Sequence, residues 1–454
     1  MDAEVRAAHA ARVGRAAASL RAAAAQGGPM RLDKAASNLF RDRVRPAGPR
    51  LDLRELVHVL EVDPRAGWVE TEGLVDYESL ADATLACGTM PAVVPQLKSI
   101  TAGGAVAGVG IEATSFRQGL VHDTLLEADV LLADGRVLTC TPDNAHRDLF
   151  LGLPNSYGTL GYLVRLRLAT QPVRPFVRVE HRRFRSSAAF FDALGEACED
   201  PVSRWDFIDG VVFAADDLVL NLARFTDDAP SVSDYTYLGI YHRSLRERTV
   251  DHLTVRDWLW RWDTDWFWCS RNFGAEHPLV RRLLGRERLN SRTWTRLMRV
   301  NARYGITRRL ARWRGLHTES VIQDVDLPAA GADAFLGFLL REIGILPIWV
   351  CPIRAADPAR PFALYPLSPA TRYVNFGFWD VVERREPVGP GHFNRLVEQR
   401  AIALGGIKSL YSDSFFTPQE FAHAYRTDRY AALKARYDPQ GRLPGLYEKC
   451  VLRA

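Results

Sequence analysis

Residues 99–120, SITAGGAVAGVGIEATSFRQGL, constrain this chain more than any other stretch. They carry Gly103, Gly104, Gly108, Gly110 and Gly119, and no charged residue precedes Glu112. Glycine tolerates positive φ and lets backbone come close to a ligand. Consecutive amides in such a loop converge on one anion. A pyrophosphate-binding loop is therefore expected, and a Cβ at Gly104 is expected to collide with the ligand or strain the loop. One version of this reading fails on context. Residues 108–113 match G-x-G-x-x-A, but that fingerprint requires a strand before it and a helix opening inside it. Here more glycines precede the match, and polar Thr114 and Ser115 follow it. A structural turn without a ligand is the bland alternative.

The segment that follows narrows the choice. Residues 127–140 read as strand, Asp134-Gly135 turn and strand, the strongest short-range hairpin signal. Residues 148–161 make a second glycine-containing turn that feeds a strand over 162–169. The strings TAGG, GVGIEATSFRQGL, LADGRVLTCTP, DLF and YGTLGYL together resemble the FAD-binding domain of the vanillyl-alcohol oxidase / p-cresol methylhydroxylase superfamily. Within it, the chain is most similar to the delta-24-sterol reductases and the bacterial FAD-dependent methylene-fatty-acid reductases. The similarity continues through IQD at 322–324, PIWVCP at 347–352, GGIKSLYSDSFF at 405–416 and LYEKC at 446–450.

The resemblance implies an α+β fold: a two-subdomain FAD-binding domain of the p-cresol methylhydroxylase type plus an α+β cap domain for substrate. The expected division is an N-terminal helix over 1–27, the FAD-binding domain over 28–175, the cap over 176–405 and a segment over 406–454 returning to the FAD-binding domain. The implied activity is reduction of an unactivated carbon–carbon double bond in a lipid, with hydride from NADPH passing through the flavin. High alanine and arginine usage suggests a GC-rich bacterial source, which tilts the substrate toward a methylene-branched fatty acyl chain. A delta-24-sterol-type reductase and a flavin-dependent alcohol or lactone oxidase are the rivals. A flavin-bearing partner subunit of a lipid methyltransferase is a rival of another class.

The resemblance also carries site residues. Ser37 and Asn38 stand where the family has its first phosphate loop, with Lys34 or Arg41 near to neutralise charge; an ordinary polar turn is the alternative. Thr101, Gly103, Gly104, Gly108, Gly110, Ile111, Ser115, Gly119, Gly158, Thr159 and Gly161 complete the cofactor set, with Glu112 on ribose or flavin ring. His122 is the one candidate for a covalent flavin link, but the nearest relatives have no matching histidine, so non-covalent FAD is expected. Reduction of an isolated alkene demands a positioned acid and a dry pocket. Tyr411 is the first choice for that acid, followed by Asp413, Tyr447 and Glu319; Trp349, Cys351 and Gln323 are expected to line the pocket. Each, taken alone, is more often structural than catalytic.

Composition sets the remaining bounds. The 454 residues carry a net charge of +5, which suits a cofactor phosphate or lipid headgroup as well as any other anion. The six cysteines are scattered with no C-x-x-C, so no zinc site or disulfide framework is signalled and a reducing, cytoplasmic setting is expected. No serine–histidine–aspartate signature or metal-spaced cluster stands out. No apolar run is long enough to span a membrane. Arginines interrupt the N-terminal alanines, so neither a signal peptide nor the sterol reductases' N-terminal anchor is expected. Residues 2–25 should form a helix, solvated or packed rather than membrane-bound. Residues 256–315 combine Trp258, Trp260, Trp262, Trp266 and Trp268 with twelve arginines from Arg281 to Arg314. Peripheral docking on a bilayer, at the inner face of the cell membrane, is one reading. A solvated helical face with core tryptophans is another; nucleic acid lacks any binding motif.

Overall fold

A computed structural model of the chain describes residues 2–25, 31–33, 40, 50–199 and 205–453. The alanine-rich N-terminus is a single helix, Ala3–Ala25. Ala16, Leu20 and Ala23 lie on one side of it and pack against Leu51, Leu53, Leu131 and Tyr162. His9 and Arg12 reach the Glu72 carboxylate at 2.8 and 2.7 Å, and His58 does so from the other side at 2.8 Å. Burial alone would raise the Glu72 carboxyl, but these partners hold it at about 2. This helix is packed on the protein.

Two antiparallel sheets organise the rest. The first runs in the order Val59–Asp63, Trp68–Glu72, Tyr162–Pro172, Leu125–Leu131, Val137–Cys140, with Thr89–Pro91 also on Tyr162–Pro172. The Asp-Gly hairpin forms with Leu131 opposite Val137 and Gly135 at φ 84°. The second sheet has eight strands in the order Val250–Thr254, Phe176–Phe184, Asp217–Thr226, Phe207–Ala214, Ile348–Ile353, Tyr373–Arg384, His317–Pro328, Ile407–Lys408. Its central strand shows how alternation builds two cores. Ile348 and Val350 face the helices Ser187–Glu199, Ala332–Phe338 and His392–Ala403, while Trp349, Cys351 and Ile353 join the core shared with the first sheet. The fold is α+β.

The C-terminal segment divides its attachments. Ile407–Lys408 pairs with His317–Pro328 as an edge strand of the second sheet. Beyond it, Tyr437 and Arg436 bond to Asp148 of the first half, and Lys449 donates to the Tyr157 carbonyl at 2.7 Å.

The tryptophans of residues 258–268 are core, none more than 6% exposed. They are held among Tyr241, Phe267 and Trp379, so these side chains face no lipid. The arginine-rich part folds into the helices Pro278–Leu284, Ser291–Tyr304 and Ile306–Trp313. Arg281 is buried against Asp265 and is part of that core.

Candidate active site

A cavity of about 2020 Å³ is lined by residues of both halves. One wall is made by the glycine-rich stretch, although much of that stretch is not a loop. Ala102–Gly108 is a short helix, capped by Thr101, whose Oγ1 accepts from the Gly104 amide at 3.2 Å. The helix precedes the G-x-G match instead of opening within it, which removes the Rossmann alternative. A Cβ on Gly104 would sit 2.7 Å from Thr101 Oγ1. The constraint there is the cap, not positive φ. The left-handed positions come later, at Val109, Tyr157 and Gly158, and the Tyr157 hydroxyl ties the two turns by donating to the Gly108 carbonyl at 2.9 Å.

Thr101, Gly103, Gly104, Gly108, Gly110, Ile111, Gly158 and Gly161 line the cavity. Gly110 and Gly161 are buried, and their amides donate to no protein acceptor among the described residues. Buried amides are almost always paired, so this wall suits an acceptor-rich ligand. Gln96 adds to the case. It is 4% exposed, lines the cavity, and neither atom of its amide has a protein partner. A side chain offering one donor group and one acceptor fits an imide edge such as that of a flavin ring. The residues present therefore fit FAD. Gln96 escaped the sequence reading; its trace there is a lone amide in the apolar run 92–97.

Four cofactor assignments are corrected. Glu112 is 1% exposed and turned away, paired at 3.2 Å with Arg261, which also holds Asp209 at 2.8 Å and lies 3.8 Å over the Trp258 ring. Burial pushes the Glu112 carboxyl up to about 7, with Arg261 pulling the other way. It clamps the two halves together. Ser115 is buried, its Oγ accepting from the Glu112 amide. Gly119, at φ 73°, ends a short helix with Asp123 directly over it. Thr159 is fully buried and donates to the Ser156 carbonyl. Ser37, Asn38, Lys34 and Arg41 lie outside the described residues. His122 is buried against Phe362 and Tyr365 and does not line the cavity; burial lowers its imidazole to about 3.

Another part of the lining is aromatic, formed by Phe40, Trp266, Phe267, Trp349, Trp379 and Tyr411. Trp266 and Phe267 hold φ of 48° and 61°, a cost that bulky residues bear where surrounding packing imposes it; here Phe267 stacks on Trp262 at 5.0 Å. Tyr411 stands in this wall. Trp379 Nε1–H donates to its hydroxyl oxygen at 2.8 Å, and burial together with the nearby Asp324 carboxylate holds the Tyr411 proton well above the ordinary tyrosine range. Asp324 lines the cavity, and burial pushes its carboxyl up to about 7, with Asp326 adding to the rise and Tyr411 and Trp379 opposing it. Gly377 lies directly opposite Asp324 in the sheet. A Cβ there would meet the Trp379 ring at 2.6 Å and Asp324 Oδ1 at 2.8 Å, so its absence makes the room that this cluster needs.

Asp324 was missed as a site residue because strand parity was unknown. Ile322 and Asp324 face the cavity, whereas Gln323 is fully buried on the other face, bonded to Asn394 and Ser412. Gln323 is therefore corrected to a support residue. Glu319 reaches the rim, but its carboxylate accepts from Asn394 N and Nδ2 at 2.9 and 2.7 Å and anchors the helix His392–Ala403. Tyr447 does not line the cavity; its hydroxyl donates to the Phe416 carbonyl at 3.2 Å. Cys351 is buried behind Trp349, its thiol donating to the Glu112 carbonyl at 3.2 Å and pushed well above the ordinary range by burial. Asp413 lines the cavity and pairs with Arg453 at 3.4 Å. Among the described residues no cluster of His, Cys, Asp and Glu could hold a metal ion, and no helix is long and apolar enough to cross a membrane.

The chain is similar in sequence to known proteins. A family model described as FAD binding domain matches residues 5–141. The Delta(24)-sterol reductase of Rattus norvegicus is 25% identical over 417 residues, 87% of this chain and 76% of that protein. That of Arabidopsis thaliana is 23% identical over 435 residues, 88% of this chain and 76% of its own. Cytokinin dehydrogenase 5 of Oryza sativa subsp. japonica is 32% identical over 125 residues, 27% of this chain and 23% of that protein.

Proposed function

Because this chain is an FAD-dependent oxidoreductase with an FAD-binding domain of the p-cresol methylhydroxylase type, we propose that it reduces an unactivated carbon–carbon double bond in a lipid. The methylene group of a branched fatty acyl chain is the first choice of substrate, and NADPH the electron donor. The observation that carries this reading is the Asp324–Tyr411–Trp379 cluster, set in an aromatic wall of the cavity that the glycine turns also line.

Bound FAD supplies hydride transfer from a nicotinamide to carbon. The protein must supply the proton. An isolated alkene has no carbonyl to polarise, so a positioned acid must protonate one of its carbons, and the positive charge that develops on the other carbon is quenched by the hydride. Tyr411 presents its hydroxyl to the cavity. By itself it is a poor acid, since burial and Asp324 hold its proton well above the ordinary tyrosine range. Asp324, with its carboxyl near 7, retains a proton in a sizeable share of molecules at neutral pH. Transfer of the Tyr411 proton to carbon, with the Asp324 proton moving to the Tyr411 oxygen, leaves the negative charge on a carboxylate. Trp379 stabilises the phenolic oxygen throughout by donating to it. The flanking rings make this part of the lining apolar, which strengthens each of these bonds.

The names of the matching sterol reductases support a second substrate, a sterol side-chain alkene. Expression in a host fed either a methylene-branched fatty acid or desmosterol, followed by lipid mass spectrometry, separates the two. Purified protein should be yellow and release intact FAD on acid precipitation. Anaerobic bleaching by NADPH, with colour restored by the alkene, is the expected result; bleaching by an alcohol instead would assign an oxidase. Turnover only on addition of a lipid methyltransferase would assign a partner subunit.

A further inference from the structure

The helices Ser291–Tyr304 and Ile306–Trp313 form a hairpin with an unusual surface. Leu297, Val300 and Tyr304 recur at i, i+3 and i+7 on the first helix. Ile306, Leu310 and Trp313 recur at i, i+4 and i+7 on the second. Each spacing gives one stripe along a helix, and these six side chains are 41% to 84% exposed. Trp313, at 84%, is the counterpart of the five upstream tryptophans, none above 6%. Arg296, Arg299 and Arg303 run along another face of the first helix, and Arg308, Arg309 and Arg312 lie beside the stripe of the second, all exposed. Residues 291–316 contain no acidic residue.

We propose that this hairpin is an interfacial anchor that seats the enzyme on an anionic phospholipid bilayer. Arginines alone would suit any polyanion, nucleic acid included. A sustained apolar stripe beside them is unfavourable in water and has a use where acyl chains lie below phosphate headgroups. The position of the hairpin adds a second observation. Met298, Arg299, Asn301, Thr307, Arg308 and Arg312 line the cavity, so the same two helices form part of its wall. A docked hairpin would bring the cavity to the membrane surface, where a lipid could enter without crossing water. This deepens the lipid-reductase reading and rests on it for the identity of what enters, not for the docking itself.

The test uses FAD-loaded full-length protein and large unilamellar vesicles of phosphatidylcholine, alone or with roughly a third phosphatidylglycerol. Co-sedimentation should be at least about tenfold greater on the anionic vesicles at low salt and should weaken as salt shortens the screening length below about 8 Å. The double variant Leu310→Glu/Trp313→Glu should keep its flavin and its circular dichroism but lose at least about tenfold in vesicle partition. Arg296→Glu/Arg303→Glu should lose the preference for the anionic vesicles. Wild-type protein that ignores phosphatidylglycerol vesicles, or a Leu310→Glu/Trp313→Glu variant that binds as wild type does, would overturn the proposal. So would a concentration-dependent dimer that the same variant makes monomeric, which would assign the face to a second copy of the chain. Partition requires no turnover, and turnover can be followed on detergent-dispersed alkene, so docking and the reductase reading can fail separately.

Discussion

The indole Nε1–H of Trp379 donates to the hydroxyl oxygen of Tyr411 at 2.8 Å, across 32 residues of sequence. The bond engages the acceptor side of the phenol and leaves its hydrogen to Asp324 or to a ligand in the cavity. Trp379 can reach that oxygen because Gly377, on the same strand, leaves space where a Cβ would press on the indole. The arrangement sets the Tyr411 phenol against Trp379 and Asp324, two groups whose relative placement follows from the register of one strand pair.

Tyr411→Phe deletes one hydroxyl and little volume. Flavin content and flavin reduction by NADPH should stay near the wild-type values. Flavin reoxidation by the alkene should slow by about a hundredfold or more, the usual scale of general acid catalysis. Stopped-flow measurement of the two half-reactions decides it; if both are unchanged, Tyr411 is a packing residue.

Asp324 should set the pH dependence of the same half-reaction. Its folded-state carboxyl is raised to about 7, so the acid form prevails below that pH and is lost above it. The alkene half-reaction should therefore be flat in mild acid and fall by about tenfold per unit on the alkaline side. Asp324→Asn should be slow throughout and lose this limb, while NADPH-driven reduction keeps its wild-type pH profile. An unchanged alkaline limb in Asp324→Asn would place the titrating group elsewhere.

Gln96→Leu should act in opposite directions on the apo and flavin-bound protein. The substitution removes a buried amide with no protein partner, so the apoprotein should be as stable as wild type or more so, by up to about 1–3 kcal/mol. FAD affinity should fall by about fivefold or more, one charge-neutral hydrogen-bonding group being worth roughly 1 kcal/mol or more in a buried site. Thermal melts with and without FAD, together with a flavin titration, measure both. Unaltered FAD affinity would show that this amide faces another part of the cavity's contents.

Glu112→Ala should destabilise without touching the cofactor. It leaves Arg261 buried with Asp209 as its remaining carboxylate. Breaking a buried pair on one side costs about 3–5 kcal/mol, and the surviving Asp209 contact favours the lower end. Denaturant unfolding gives the loss, and the folded fraction should bind FAD with wild-type stoichiometry. A loss below about 1 kcal/mol would mean that the clamp adds little beyond the surrounding packing.

The sequence by itself determined what depends on neighbours along the chain. The Asp134-Gly135 hairpin and the N-terminal helix rest on local periodicity and backbone freedom, and each took the form its residues imply, whereas the glycine-rich stretch, read as a loop, folds over 102–108 into a short helix. Tertiary structure decided every property that requires knowing which face of an element is covered. Alternation shows that Gln323 and Asp324 point to opposite sides of a strand but not which side holds the cavity, so sequence pattern cannot distinguish the amide from the carboxylate as the lining residue. Tryptophan at 258, 260, 262, 266 and 268 suits a bilayer or a core equally well until Tyr241, Phe267 and Trp379 close over it, while Leu310 and Trp313, ordinary core residues by type, remain outside. Glu112 sits within the glycine-rich stretch, yet its role is set by an arginine 149 residues away. Burial, and the charge and acidity that follow from it, is a property of the assembled surfaces, and no local pattern encodes which surfaces meet.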